Sequence, residues 1–252
     1  MAMNKALIVA KTDLIMALEV NMVKYGLIIA GAFGPIMVIL STVGTALLVP
    51  PSEIPELMGF LAPYTASLLS IFGIIPATMI SANSLVGEKE QNTLEPLLCT
   101  PLTDRELLIG KTLSSAIPCL AILFGGTLVS MIASNVALLL MAAPLVLLPD
   151  LPGLFLIFTA APVMIFAVVA VMIIISGRVS RVYEAYQSSG AVVLVFMIPM
   201  IFPLIGIEQG IPDPSVIWMT NLLTLMIAVI LFSVSWAIAL GRFNRDKLIS
   251  TV

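Results

Sequence analysis

Two stretches limit the folds open to this chain more than any other feature. From Tyr25 to Val49, and again from Thr112 to Pro149, no residue carries a charge. At 1.5 Å per residue the first makes a helix longer than the ~30 Å hydrocarbon core of a bilayer, so it can span with some tilt. Composition extends the point to the whole chain, which is 60% hydrophobic and 10% charged with a mean hydropathy of +1.18. A soluble domain carries roughly 25% charged residues. A core built from 252 residues cannot hide so much apolar surface, so part of the solvent must be lipid. The fold class expected is all-α: a polytopic membrane protein, organised as one transmembrane domain over residues 1–252.

The distribution of basic residues sets the number of spans. The run from Thr112 to Pro149 is too long for one span and barely enough for two with a turn. If it holds one, the chain has six spans, at about 25–49, 57–86, 107–134, 153–175, 189–207 and 216–240. All eleven Lys and Arg then share one face: Lys5, Lys11, Lys24, Lys89, Arg105, Lys111, Arg178, Arg181, Arg242, Arg245 and Lys247. The other face has only Glu53, Glu56, Asp150, Glu208 and Asp213. A seventh span would flip Arg178, Arg181, Arg242, Arg245 and Lys247 to the far side, against the positive-inside rule. The expectation is therefore six spans in a cell membrane, both termini cytoplasmic, with residues 137–149 an apolar outer segment that dips into the membrane or lies on it.

Residues 4–24 read as a helix at the membrane surface, with Leu7, Leu14, Leu18 and Met22 on its apolar face; a plain solvated helix is the alternative. The first apolar run starts near Tyr25, after Lys5, Lys11, Asp13, Glu19 and Lys24, a pattern unlike a cleavable signal. Pro63 and Pro76 are expected to bend the second span. Loops are short, and Ser176–Gln187 is read as the one after span four.

Several chemistries are excluded. The chain has no histidine, which removes the Ser–His pair and the zinc-protease motif. Cys99 and Cys119 read as unrelated free thiols. No charge falls in the middle of a span, which argues against ion coupling through buried acids. Gly110-Lys111-Thr112 looks like the tail of a P-loop, but Arg105 stands where the first glycine is required and no strand precedes it. The chain is not expected to be an enzyme, to hold a cofactor or metal, or to bind nucleic acid. Lys111 is placed at headgroup level, at the start of a helix.

The one long polar interruption is Gly87–Lys111, GEKEQNTLEPLLCTPLTDRELLIGK. Within it Asn92 or Thr93 can cap a short helix, with Glu95 in its first turn and Pro101 ending it. Leu94, Leu97 and Leu98 fall at i, i+3 and i+4, one apolar stripe. Thr103-Asp104-Arg105-Glu106 fits a capping box that starts the third span. The short helix either rests on lipid headgroups or fits a groove on a partner.

This string resembles the signature of the ABC-2 family of transporter permeases, roughly G-E-[KR]-E-x-G-T-L-E-x-L-L-x-[ST]-P followed by E-L-x-x-G-K. Asn92 stands where that family often has glycine. The resemblance implies a membrane-spanning permease subunit of an ATP-driven transporter, mostly an exporter. It makes the short helix a coupling helix between spans two and three. Two permeases, the second a copy or a homologue, would pair with two ATPase subunits, which hydrolyse the ATP. Carried over residue by residue, the ATPase contacts would be Glu88, Lys89, Glu90, Thr93, Leu94, Glu95, Leu97 and Leu98. The competing reading is a self-contained channel or scaffold with no ATPase. The fifteen methionines suit a lipophilic cargo and equally suit lipid-facing filler.

Overall fold

The computed structural model describes residues 2–91, 93, 102–201 and 213–242. They are helical throughout, joined by short connections, with no strand among them. Helix α1 is Ala2–Glu19, α2 Asn21–Leu48, α3 Ile54–Glu90, α4 Asp104–Leu140, α5 Leu151–Arg178, α6 Val182–Ile201 and α7 Pro214–Arg242. A π-helical turn at Leu156–Ala160 interrupts α5. Helices α2 to α7 are the six long and apolar enough to cross a membrane. In hydrocarbon a helix is the form that pairs every backbone N–H and C=O within one segment. Many hydroxyls follow the same rule and fold back on their own helix: Thr42 Oγ1 donates to Val38 O, Ser70 Oγ to Ala66 O and Thr127 Oγ1 to Leu123 O.

Helices α3 and α5 form the centre. In their most apolar stretches 56% and 61% of residues are buried, against 22–33% in the other four. The core runs along them through Leu69, Ile74, Leu85, Ile157, Met164, Val168 and Ile173. Neighbours alternate in direction, so α1, the end of α3, the start of α4, the end of α5 and the start of α6 gather at one end, the Lys111 end. At the other end Asn221 Nδ2 of α7 donates to Pro152 O of α5 at 2.7 Å, and Thr224 Oγ1 to Pro199 O of α6 at 3.0 Å.

Both α3 and α4 have 37 residues. At 1.5 Å per residue that is about 55 Å, well beyond the ~30 Å hydrocarbon core. These helices therefore carry their polar turns past the hydrocarbon. Helix α3 runs on through both Pro63 and Pro76. Helix α4 begins with the expected capping box: Thr103 Oγ1 accepts from Glu106 N, and Thr103 N donates to Glu106 Oε2 at 2.7 Å.

Four boundaries differ from the sequence reading. Helix α4 continues to Leu140, and the stretch after it packs back without forming a further helix. There Val146 N donates to Asn135 Oδ1, and Leu148 is buried against Ile54, Met58 and Ala62. Helix α5 starts at Leu151 because Asp150 caps it, Oδ1 accepting from Gly153 N at 2.9 Å, with Pro152 in the first turn. The connection expected over Ser176–Gln187 shrinks to Val179–Arg181, since α6 starts at Val182. Helix α1 ends at Glu19, and extended Val20 separates it from α2, to which Met22 and Lys24 belong.

The face of α1 that packs on the bundle is distinct from its leucine face. Ala6, Val9, Ala10 and Ala17 are buried, while Leu7 and Leu18 are exposed. Small side chains let two helices approach closely, and the large ones are left for the surroundings.

Candidate functional site

At the last turns of α3, from Asn83 to Glu90, polar contacts from α1, α4, α5 and α6 meet. Two seams converge there, and both use the polar residues of the Gly87–Lys111 string.

The first seam joins α1, α3 and α4. Lys111 lies two turns into α4 and is fully buried. Its Nζ sits 2.8 Å from Glu88 Oε1 of α3 and 3.1 Å from Asp13 Oδ2 of α1, and donates also to Ser84 O at 2.9 Å. The two carboxylate side chains are each 13% exposed. Such a cation is tolerable away from water only because opposite charges and hydrogen bonds replace its hydration. Lys111 is the cation shared by both acids, and the triad keeps one formal negative charge in excess. Lys111 was expected at headgroup level. What the sequence did not show is that it is enclosed by protein, with counter-ions supplied by α1 and α3.

Gly110, one residue earlier, makes this approach possible. A Cβ there would lie 2.8 Å from Val9 Cβ and 2.9 Å from Ala6 O. Backbone oxygen cannot yield cheaply, so only glycine lets α1 lie this close to α4. What resembled a P-loop tail is thus a helix contact.

The second seam joins α3 to the end of α5 and the start of α6. Lys89 Nζ donates to Gly177 O at 2.8 Å. That carbonyl lies in the last turn of α5, where helical carbonyls lack internal partners and the dipole favours a cation. Glu90 Oε1 accepts from Val182 N, the first residue of α6, at 2.8 Å, the mirror case of an acid at a helix start. Beneath both, the buried Ser176 hydroxyl accepts from Leu85 N and Val86 N, each at 3.0 Å, and donates to Ala82 O at 2.8 Å.

Of the eight residues named from the resemblance, three fall in these seams: Glu88, Lys89 and Glu90. Thr93 N donates to Glu88 O at 2.9 Å, just beyond α3. Leu94, Glu95, Leu97 and Leu98, with the short helix expected around them, lie outside the described residues. Asp13, Gly110, Lys111 and Ser176 were missed as participants. One signal was available for Lys111: a lysine immediately followed by a long uncharged run needs either a headgroup or a counter-ion. Ser176 left no signal, because a lone serine in an apolar helix usually bonds its own backbone. Among the described residues no group of three or more His, Cys, Asp and Glu could hold a metal ion. Cys119 is a free, buried thiol.

Six helices of spanning length, a central pair, and a polar end organised by buried charge define a polytopic membrane protein. The family model described as ABC-2 family transporter protein matches residues 5–247, and the chain belongs to that family. It is therefore a transmembrane permease. No curated protein matches it.

Proposed function

We propose that this chain is the membrane subunit of an ATP-driven transporter, coupled to a separate ATPase through the polar segment between α3 and α4. The observation that carries this reading is the convergence of both seams on the last turn of α3, where that segment begins. A push delivered to residues 91–103 meets α3 directly. Through Glu88 and Lys111 it meets α1 and α4, and through Lys89 and Glu90 it meets α5 and α6.

On this reading the eight residues divide their work. Leu94, Leu97 and Leu98 fill a groove on the ATPase, and Glu95 and Thr93 stand at its rim. Glu88, Lys89 and Glu90 border the same interface and tie it to the bundle. Two ATPase subunits act on two permeases, the second a copy or a homologue, and the movement exports substrate. The Lys111 end faces the cytoplasm of a cell membrane with both termini, as the shared face of the basic residues requires. Helix α1 lies at the headgroup boundary, presenting Leu7, Ile8, Ile15 and Leu18, all exposed, to lipid.

The test is association. Leu97→Asp together with Leu98→Asp should abolish co-purification of the partner ATPase, and with it any hydrolysis stimulated by the permease. Retained co-purification and stimulation in the double variant would refute the assignment. Ion currents from the purified chain alone would favour a self-contained channel.

A further inference from the structure

Helix α5 is the most enclosed of the six spans, yet in sequence it does not adjoin the polar segment between α3 and α4. Movement must reach it through side chains, and one contact is built differently from the rest. A hydroxyl can accept twice and donate once. Ser176 does all three within α3: it accepts from Leu85 N and Val86 N and donates to Ala82 O. In a regular helix Val86 N would donate to Ala82 O. The Ser176 hydroxyl bonds both that donor and that acceptor, so a side chain of α5 joins the α3 backbone ladder. All of this lies where Ser176, Ala82, Leu85 and Val86 are buried, with no solvent to substitute. Gly177 and Arg178 follow directly, so the Lys89–Gly177 contact lies one residue further along the same seam.

We propose that Ser176 is a positioning residue of the transport cycle, pinning the inner end of α3 to α5 so that displacement of Glu88–Gln91 enters the centre of the bundle. The proposal rests on the permease reading above for its functional half, but the pin itself is a property of this chain alone. Longer side chains such as Lys89 and Glu90 can follow a moving partner by changing rotamer. A serine hydroxyl cannot, and three bonds on one oxygen leave it no slack.

The experiment has two arms on the full chain in lipid nanodiscs. In the first, without any partner, amide hydrogen exchange is followed at Leu85 and Val86. Ser176→Ala should speed exchange there by about tenfold or more, since two buried donors lose their acceptor, while α3 residues 62–78 keep their wild-type rates. Ser176→Thr, which keeps the hydroxyl, should restore slow exchange; Ser176→Cys, a weak hydrogen-bonding group of similar shape, serves if the alanine variant does not fold. Unchanged or slower exchange would mean that the α3 ladder serves those amides itself, and the pin would be refuted. In the second arm the ATPase is added and spin labels at Leu48 and Leu151, both exposed, report the distance between α2 and α5. ATP should shift this distance in the parent chain. In Ser176→Ala the shift should disappear while ATP hydrolysis persists. An unchanged shift in that variant would refute the positioning role even if exchange had accelerated. Failure of the ATPase to bind the parent chain would refute the permease coupling and leave the first arm standing on its own.

Discussion

Replacing Lys111 with methionine tests the central electrostatic claim. The substitution keeps an unbranched side chain but removes the cation between Asp13 and Glu88. At 3 Å each pair attracts by about 5 kcal/mol at an effective dielectric near 20, largely offset by the cost of taking the charges from water. What remains measurable is the asymmetry. Removing one partner of a buried ion group costs about 3–5 kcal/mol, because the others are left uncompensated. Here two carboxylates, each 13% exposed, would face one another across the gap left by a fully buried lysine. At about 2–4 °C per kcal/mol for a chain of this size, the apparent Tm should fall by at least about 6 °C. Thermal unfolding in nanodiscs, followed by fluorescence of Trp218 and Trp236, reads this directly. The triple variant Lys111→Met, Asp13→Asn, Glu88→Gln removes all three charges and should recover most of the loss. If Lys111→Met unfolds within about 1 °C of the parent, or the triple variant is no better than the single one, the lysine is not held by this triad and the reasoning fails.

Other outcomes follow from the same geometry. Gly110→Ala should push α1 away from α4, since its Cβ would meet Val9 and the Ala6 carbonyl; cysteine cross-linking of α1 to α4 should fall severalfold, with a stability loss of about 1–3 kcal/mol. Thr103→Ala removes the cap of α4 and should cost about 1 kcal/mol, seen as faster amide exchange at Glu106. Asp150 has its carboxyl pushed above the ordinary carboxylate range, first by burial and against the hydrogen bond from Gly153. A raised native pKa means the folded state holds its proton longer, so this group's stabilisation is present in acid and lost as pH rises through the raised value. Asp150→Asn should flatten that part of the Tm–pH profile and leave stability at pH 7 equal or higher; a parallel profile in both proteins would contradict this.

The class of this protein was legible in its residues because lipid imposes so strong a rule. Uncharged runs of spanning length must become helices, and the positive-inside rule applied to eleven basic residues favours six of them over seven. The start of α4 was legible too, because a capping box is a local hydrogen-bond pattern that needs only Thr103 and Glu106. So was the family, through the resemblance carried by the Gly87–Lys111 string. Helix ends were less legible. The capping carboxylate of Asp150 was present in the sequence, but the charge count used it only to assign a face.

What the tertiary structure alone decided is which partners those polar residues meet. Asp13 and Lys111 are 98 positions apart and Val86 and Ser176 are 90 apart, so no periodicity links them. The family resemblance placed Glu88, Lys89 and Glu90 against an ATPase. Folding offered each of them an internal site: a buried lysine, the end of one helix and the start of another. Hydropathy is a property of each residue and can be read in order along the chain. The compensation of a buried charge is a property of the neighbours that packing supplies.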